Sequence, residues 1–205
     1  MLIFLEKQLV FLATPKTGTT AVEMALKSQA DIIFARRRKH IPARRYVSRI
    51  APFLAQTFDR HPETVAVMRD PVEQIRSWYR YRARTDKDGQ AQSTKGLCFD
   101  DFVLDVIAEN PPERAKIGSQ FTFLSDRRGR VVVDHLFAYD NQPAFLSFLE
   151  ERLGNSIVLQ QKNVSPRMEA PLSDGVSERL RQARRAEFDL YDRLTAAGGY
   201  LQKPG

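Results

Sequence analysis

Two short stretches of the chain carry residue types spaced for anion chemistry. The first is Thr14-Pro15-Lys16-Thr17-Gly18-Thr19-Thr20. Lys16 supplies a full positive charge, Gly18 lets the backbone come close to a ligand, and the threonines add hydroxyl donors. The apolar run Leu9 to Ala13 precedes it, with the bulk and length of a buried strand. Ala21, Val22, Met24, Ala25 and Leu26 follow, suited to a helix. A strand that feeds a tight turn and a helix leaves amide donors unpaired where the dipole favours negative charge. The pattern reads as a cradle for a phosphate or sulfate group.

The second stretch is Arg69-Asp70-Pro71-Val72-Glu73-Gln74-Ile75-Arg76-Ser77-Trp78-Tyr79, directly after the apolar run Thr64 to Met68. Asp70 suits an N-cap, Pro71 the first helical position and Glu73 the third place of a capping box. Arg69 then ends a strand while Ser77 lies about two turns into a helix. A fixed guanidinium and a hydroxyl so placed could grip one phosphate from two sides.

The first stretch is not a G-x-x-x-x-G-K-[ST] loop, because Lys16 precedes the glycine and Phe occupies position 11. Its order P-K-T-G-T-T resembles the 5′-phosphosulfate loop of sulfotransferases, whose donor is 3′-phosphoadenosine 5′-phosphosulfate (PAPS). The second stretch resembles the 3′-phosphate motif of the same family, R-[ND]-P-x-x-R-x-x-S-x-Y. Arg69, Asp70, Pro71, Ser77 and Tyr79 match in register, whereas Gln74 stands where many members carry arginine. Arg76 or Arg80 could replace that arginine only in part, from other helix faces.

The resemblance implies that Pro15, Lys16, Thr17, Gly18, Thr19 and Thr20 hold the 5′-phosphosulfate. It assigns the 3′-phosphate to Arg69 and Ser77, and it gives Lys16 the further task of neutralising the leaving oxygen. No obligatory metal is implied. Lys39-His40-Ile41-Pro42-Ala43 is similar to the K-H-x-x-A stretch of small bacterial, carbohydrate-type members, which implies His40 as general base. An imidazole of ordinary pKa suits that task near neutrality. Fainter likenesses are Gln120 before an aromatic strand and the Asp126-to-Gly129 turn, the pair Tyr139-Asp140, and Lys162-Asn163-Val164-Ser165-Pro166-Arg167. His61 and His135 read as structural.

These residues require elements to hold them. A hairpin is expected from Leu2–Leu5 and Gln8–Thr14, then a helix from Thr19 to Gln29 and a short extended piece at Asp31–Phe34. Arg36 to Lys39 are consecutive cations that repel one another. They form either a solvated basic loop or a mouth facing the donor's phosphates or an acidic acceptor. Tyr46–Phe58 predicts a helix with Val47, Ile50, Phe53 and Leu54 inward despite Pro52. Further helices are expected at Phe99–Ala108, Pro143–Leu153 and Ser177–Leu194, and further strands at Val131–Val133, Leu136–Tyr139 and Ile157–Leu159. Arg84 to Gly96 is polar, contains Asp88-Gly89 and is the clearest linker candidate.

Strands alternating with helices predict one α/β domain over residues 1–205. Its sheet is expected to be open, mostly parallel and helix-flanked, which the resemblance makes P-loop NTPase-like in three layers. With 32 Lys and Arg against 25 Asp and Glu, the chain carries a formal charge of +7, which suits anionic ligands. Its one cysteine, Cys98, excludes an intrachain disulfide and any cysteine-rich metal site. No run approaches the ~18 apolar residues of a membrane span, and a cytoplasmic, soluble protein is the expectation.

The resemblance implies transfer of a sulfuryl group from PAPS to an acceptor hydroxyl, of a carbohydrate or related metabolite, leaving 3′-phosphoadenosine 5′-phosphate (PAP). A small-molecule kinase would share sheet and cradle but should show GK[ST] and magnesium ligands. A nucleic-acid-binding protein would explain the charge, yet no base-stacking or groove-reading motif is present.

Overall fold

A computed structural model describes residues 1–84, 87–159 and 168–204, the side chain of Arg37 excepted. The segment 160–167, with Lys162 to Arg167, lies outside the described residues. Six strands form one sheet: β1 (Leu2–Phe4), β2 (Leu9–Leu12), β3 (Ile32–Ile33), β4 (Glu63–Met68), β5 (His135–Ala138) and β6 (Tyr200–Gln202). Their order is β3-β1-β2-β4-β5-β6. The central trio β2, β4 and β5 is parallel, while β1, β3 and β6 are joined by antiparallel pairings. The class is α/β, with a mixed sheet and a parallel centre.

Apart from Glu63, Thr64 and His135 at their starts, the central strands are apolar because both sheet faces are covered. Alternate residues enter opposite cores, as the period of two requires. Val10, Leu12, Ala66, Met68, Leu136 and Ala138 face one core with Tyr46, Leu54, Leu190 and Leu194. Leu9, Phe11, Val65, Val67 and Phe137 face the other with Val22, Leu26, Phe145 and Leu149. Fully burying each of the larger side chains is worth about 1.5–3 kcal/mol.

The helices that cover those faces are α1 (Thr19–Leu26), α2 (Ala43–Arg45), α3 (Ala51–Phe58), α4 (Pro71–Arg82), α5 (Phe99–Ile107), α6 (Gln120–Leu124), α7 (Gln142–Leu153), α8 (Asp174–Ala183) and α9 (Arg185–Ala196). A third apolar cluster joins α4, α5, α8 and α9 through Ile75, Tyr79, Phe102, Val103, Leu180 and Phe188. Among the described residues, no helix is long and apolar enough to cross a membrane.

Several elements depart from the sequence reading. The helix expected over Tyr46–Phe58 begins with a π-helical turn, Tyr46–Ile50, and Pro52 falls in the first turn of α3. Proline lacks the N–H that a continuing helix would use, and the ladder just before it is π-helical rather than regular, the Ala51 amide donating to Tyr46 O. Tyr46 and Leu54 face the core, while Val47 and Phe53 are exposed. The aromatic residues after Gln120 form helix α6 rather than a strand, with Ser119 Oγ accepting from the Thr122 amide at 3.4 Å. Val131–Val133 is not a strand. Its one isolated bridge joins Val131 to Ser125, and the Val132 amide donates to Leu124 O at 3.0 Å.

Ile157–Leu159 also stays outside the sheet, with the Ile157 amide donating to Glu150 Oε1 at 2.7 Å. The sheet instead gains β6, reached through Gly198 and Gly199, both at positive φ. The helix expected over Ser177–Leu194 is two helices, broken at Arg184 (φ −116°, ψ 30°). The described part of the linker candidate folds back onto α4: the Thr94 hydroxyl donates to Tyr79 O at 2.8 Å.

Candidate functional site

The register pairs Leu12 with Ala66 and Met68 with Ala138, so the carboxyl ends of β2, β4 and β5 stand level. The loop 14–20, Arg69 and Tyr139 therefore meet at one edge of the sheet, where open α/β folds receive ligands.

In the first loop, Lys16 (φ 68°) and Gly18 (φ 72°) both adopt the left-handed region. That conformation costs a lysine about 1–2 kcal/mol and nothing comparable for glycine. Gly18 caps α1, and a Cβ there would lie 3.4 Å from Tyr139 Cε2. Among the described residues, no backbone carbonyl pairs with the amides of Gly18, Thr19 and Thr20. The Thr17 hydroxyl donates to Thr14 O at 2.9 Å and the residue is buried, so Thr17 closes the turn. Thr20 Oγ1 accepts from Lys39 Nζ at 3.1 Å, and that ammonium also meets Glu23 Oε2 at 3.2 Å. Lys39 is thus drawn from the basic run onto α1, whereas Arg36 and Arg38 stay exposed.

One face of α4 lies along this loop. Gln74, Ser77, Trp78 and Tyr81 follow the i, i+3, i+4, i+7 spacing of a single face. Gln74 Nε2 donates to Pro15 O at 3.3 Å, and Lys16 Nζ sits 4.3 Å from the Tyr81 ring centroid and 5.4 Å from that of Trp78. The hydroxyl of Ser77, a half-buried residue of the same face, makes no hydrogen bond among the described residues. Burial, then the charges of Arg69, Arg84 and Arg82, push the Lys16 ammonium down to about 8. Cations have been gathered here against their mutual repulsion.

Gln74, where the motif it resembles carries arginine, is 2% exposed, and its Oε1 has no hydrogen-bond partner. An unsatisfied buried acceptor costs about 1–3 kcal/mol. Arg76 and Arg80 do not compensate: their Nε atoms donate to Ala170 O at 3.0 Å and Met168 O at 3.1 Å, holding a different segment. The capping box is half formed. Asp70 Oδ1 accepts from the Glu73 amide at 2.9 Å, while the Glu73 carboxylate pairs with Arg76 and lies 3.7 Å from Arg69.

Arg69 is fixed by a residue whose sequence context said little. Its amide donates to Gln120 Oε1 and its carbonyl accepts from Gln120 Nε2, both at 2.9 Å. Gln120 is in turn held by Glu187 Oε1, which accepts from the Gln120 amide at 3.0 Å, and Arg184 Nη1 lies 3.3 Å from Glu187 Oε2. Glu187 was missed because it reads as one more charge on a basic helix. Arg69's guanidinium stands 4.7 Å from the centroid of Tyr139.

His40 is brought to the base of the loop, where its Nδ1–H donates to Ala13 O at 2.7 Å. That bond fixes the tautomer and leaves Nε2 as the basic nitrogen of the neutral ring. Burial, the largest influence, holds the imidazole below its ordinary pKa, with Lys39 adding to it and the Ala13 bond opposing. His135 lies elsewhere, on buried β5 with Nδ1 2.9 Å from the Tyr200 hydroxyl, and His61 is exposed.

Fold and site together define an α/β protein with a cluster of cations at the ends of three parallel strands. No family model matches the chain, and no curated protein or solved structure is similar to it.

Proposed function

We propose that the protein is a sulfotransferase of P-loop-like architecture that uses PAPS and sulfates an acceptor hydroxyl. The observation that carries this reading is the joining of the two anion motifs. Through Gln74–Pro15 and the Lys16–Tyr81 contact, α4 of the second motif runs along the loop of the first. A ligand with phosphates at two ends of one nucleoside suits that arrangement. The free amides at Gly18–Thr20, the close approach of Tyr139 to Gly18 and the crowded cations all fit such a polyanion.

The bound donor supplies the sulfuryl group and a phosphate leaving group. The amides of Gly18, Thr19 and Thr20 hold the 5′ end, with Pro15 and Thr17 shaping the turn. Lys16 offsets negative charge that grows on the leaving oxygen, the kind of stabilisation that dominates such transfers. Arg69 and Ser77 hold the 3′-phosphate. His40 Nε2 takes the proton of the acceptor hydroxyl as that oxygen bonds to sulfur.

The test is calorimetric binding of PAP beside ADP, AMP and ATP, followed by transfer from labelled PAPS. PAP is expected to bind at least tenfold more tightly than ADP, a difference of about 1.4 kcal/mol. Equal affinities, or a preference for magnesium-ATP, would overturn the reading.

A further inference from the structure

Beside the loop lies a cavity of about 170 Å³ whose lining includes Pro15, Pro42, Arg44, Gln74, Gln120 and Phe123. An apolar protein cavity of roughly 150 Å³ accepts benzene, so this one has room for a single six-membered ring. Pro15, Pro42 and Phe123 offer apolar surface to the faces of such a ring. Two polar groups break that surface. Arg44 is exposed and pairs with no carboxylate among the described residues. Gln74 is the buried amide whose Oε1 lacks a donor.

The position of the cavity is as informative as its lining. Pro15 belongs to the loop that carries Lys16, and Pro42 follows His40 by two residues. The lining thus reaches the loop that carries Lys16 and the chain just past His40, although neither of those two side chains is part of it. A cation at one part of the lining and an unpaired hydrogen-bond acceptor at another ask for an occupant with an anion and a hydroxyl.

We infer that this cavity is the acceptor subsite and that it takes a hydroxylated six-membered ring bearing an anionic group. Arg44 holds the anion and Gln74 Oε1 receives a ring hydroxyl. The assignment as acceptor rests on the proposed transfer, but the binding chemistry does not, and it can be measured without a nucleotide.

The experiment is ligand-observed NMR titration of the full chain with two matched pairs, D-glucuronate against D-glucose and 4-hydroxybenzoate against phenol. At least one anionic probe should bind about tenfold more tightly than its neutral partner, the worth of one charge-assisted hydrogen bond at the lower end of its range. The pair that shows the preference identifies a sugar acid or a phenolic acid as the source of that chemistry. Arg44→Ala should abolish the preference, and Arg45→Ala, an exposed neighbour outside the cavity lining, should keep it. Gln74→Leu should weaken the favoured probe severalfold. Failure of all four probes to bind, absence of any preference, or its survival in Arg44→Ala would overturn the inference. PAP affinity, measured separately on the same preparations, reports on the sulfotransferase reading alone.

Discussion

At His40 a single proton position decides what the residue can do. With Nδ1–H committed to Ala13 O and the pKa held low by burial, the ring is neutral at pH 7 with Nε2 available. The acidic limb of the turnover–pH profile is therefore expected below pH 6.5. His40→Ala should lose roughly 10²–10⁴ in turnover and lose that limb, with PAP affinity unchanged. The depressed pKa also bears on stability. The folded chain binds fewer protons than the unfolded one below 6.5, so this contribution is present above that pH and lost as pH falls through the folded value. Lys16 makes a second, opposed case. Its pKa of about 8, against 10.5 for a free lysine, means that burying the charged form destabilises the fold at neutral pH. Stability from this group grows as pH rises from 8 to 10.5, where the folded state has already released its proton. Lys16→Met should abolish transfer yet raise the Tm at pH 7, and scanning calorimetry at pH 7 and 10 would show the pH dependence reduced.

The placement of Lys16, Gly18 and Arg69 at strand ends and a helix start was legible because the signals are local: a turn, a cap, a strand end. The bonds of Gln74, Gln120 and Glu187 to Pro15, Arg69 and Gln120 were not, because they span 59, 51 and 67 residues.

Among the elements, α4 is the one that joins both halves of the site. Its Trp78, the only tryptophan of the chain, stands 5.4 Å from the Lys16 ammonium. PAP that draws Lys16 toward phosphate should change Trp78 emission, and the change should shrink in Lys16→Met; an unaltered spectrum at saturating PAP would count against this coupling. Strong periodicity and capping made α1, α4, α5 and α7 readable. The break between α8 and α9 was not, since no proline or glycine marks Arg184. β6 escaped notice because it is three residues long and half-buried, so alternation has nothing to show. Its entry depends on Gly199, at φ 86°, where a Cβ would fall 2.9 Å from Asn141 Cβ. Gly199→Ala should cost about 1–3 kcal/mol in urea unfolding, through strain and overpacking together.

For the molecule as a whole, the alternation of strand and helix was enough to indicate an α/β sheet, and the parallel centre β2-β4-β5 follows from helical crossovers. The antiparallel flanks depend on which edges remain open after those crossovers, which no local pattern records. The excess of positive charge acts at this scale too. Donor affinity should fall as salt rises from 50 to 500 mM, because the partly exposed cations around Lys16 and Arg69 are screened. A salt-independent affinity would show that the cluster is not where the phosphates sit.

The pairing of β6 with β5 has a consequence for the chain as it is made. β5 carries Tyr139 at its end, yet its outer edge closes only when Tyr200–Gln202 arrives, more than sixty residues later in synthesis. Until then the nascent sheet presents an unpaired edge, flanked by apolar Leu136 and Phe137, to whatever other strands are near. Translation cut short after residue 197 should therefore yield a product that associates through β5, forming soluble oligomers or aggregates, while the loop 14–20 at the opposite end of synthesis is already complete.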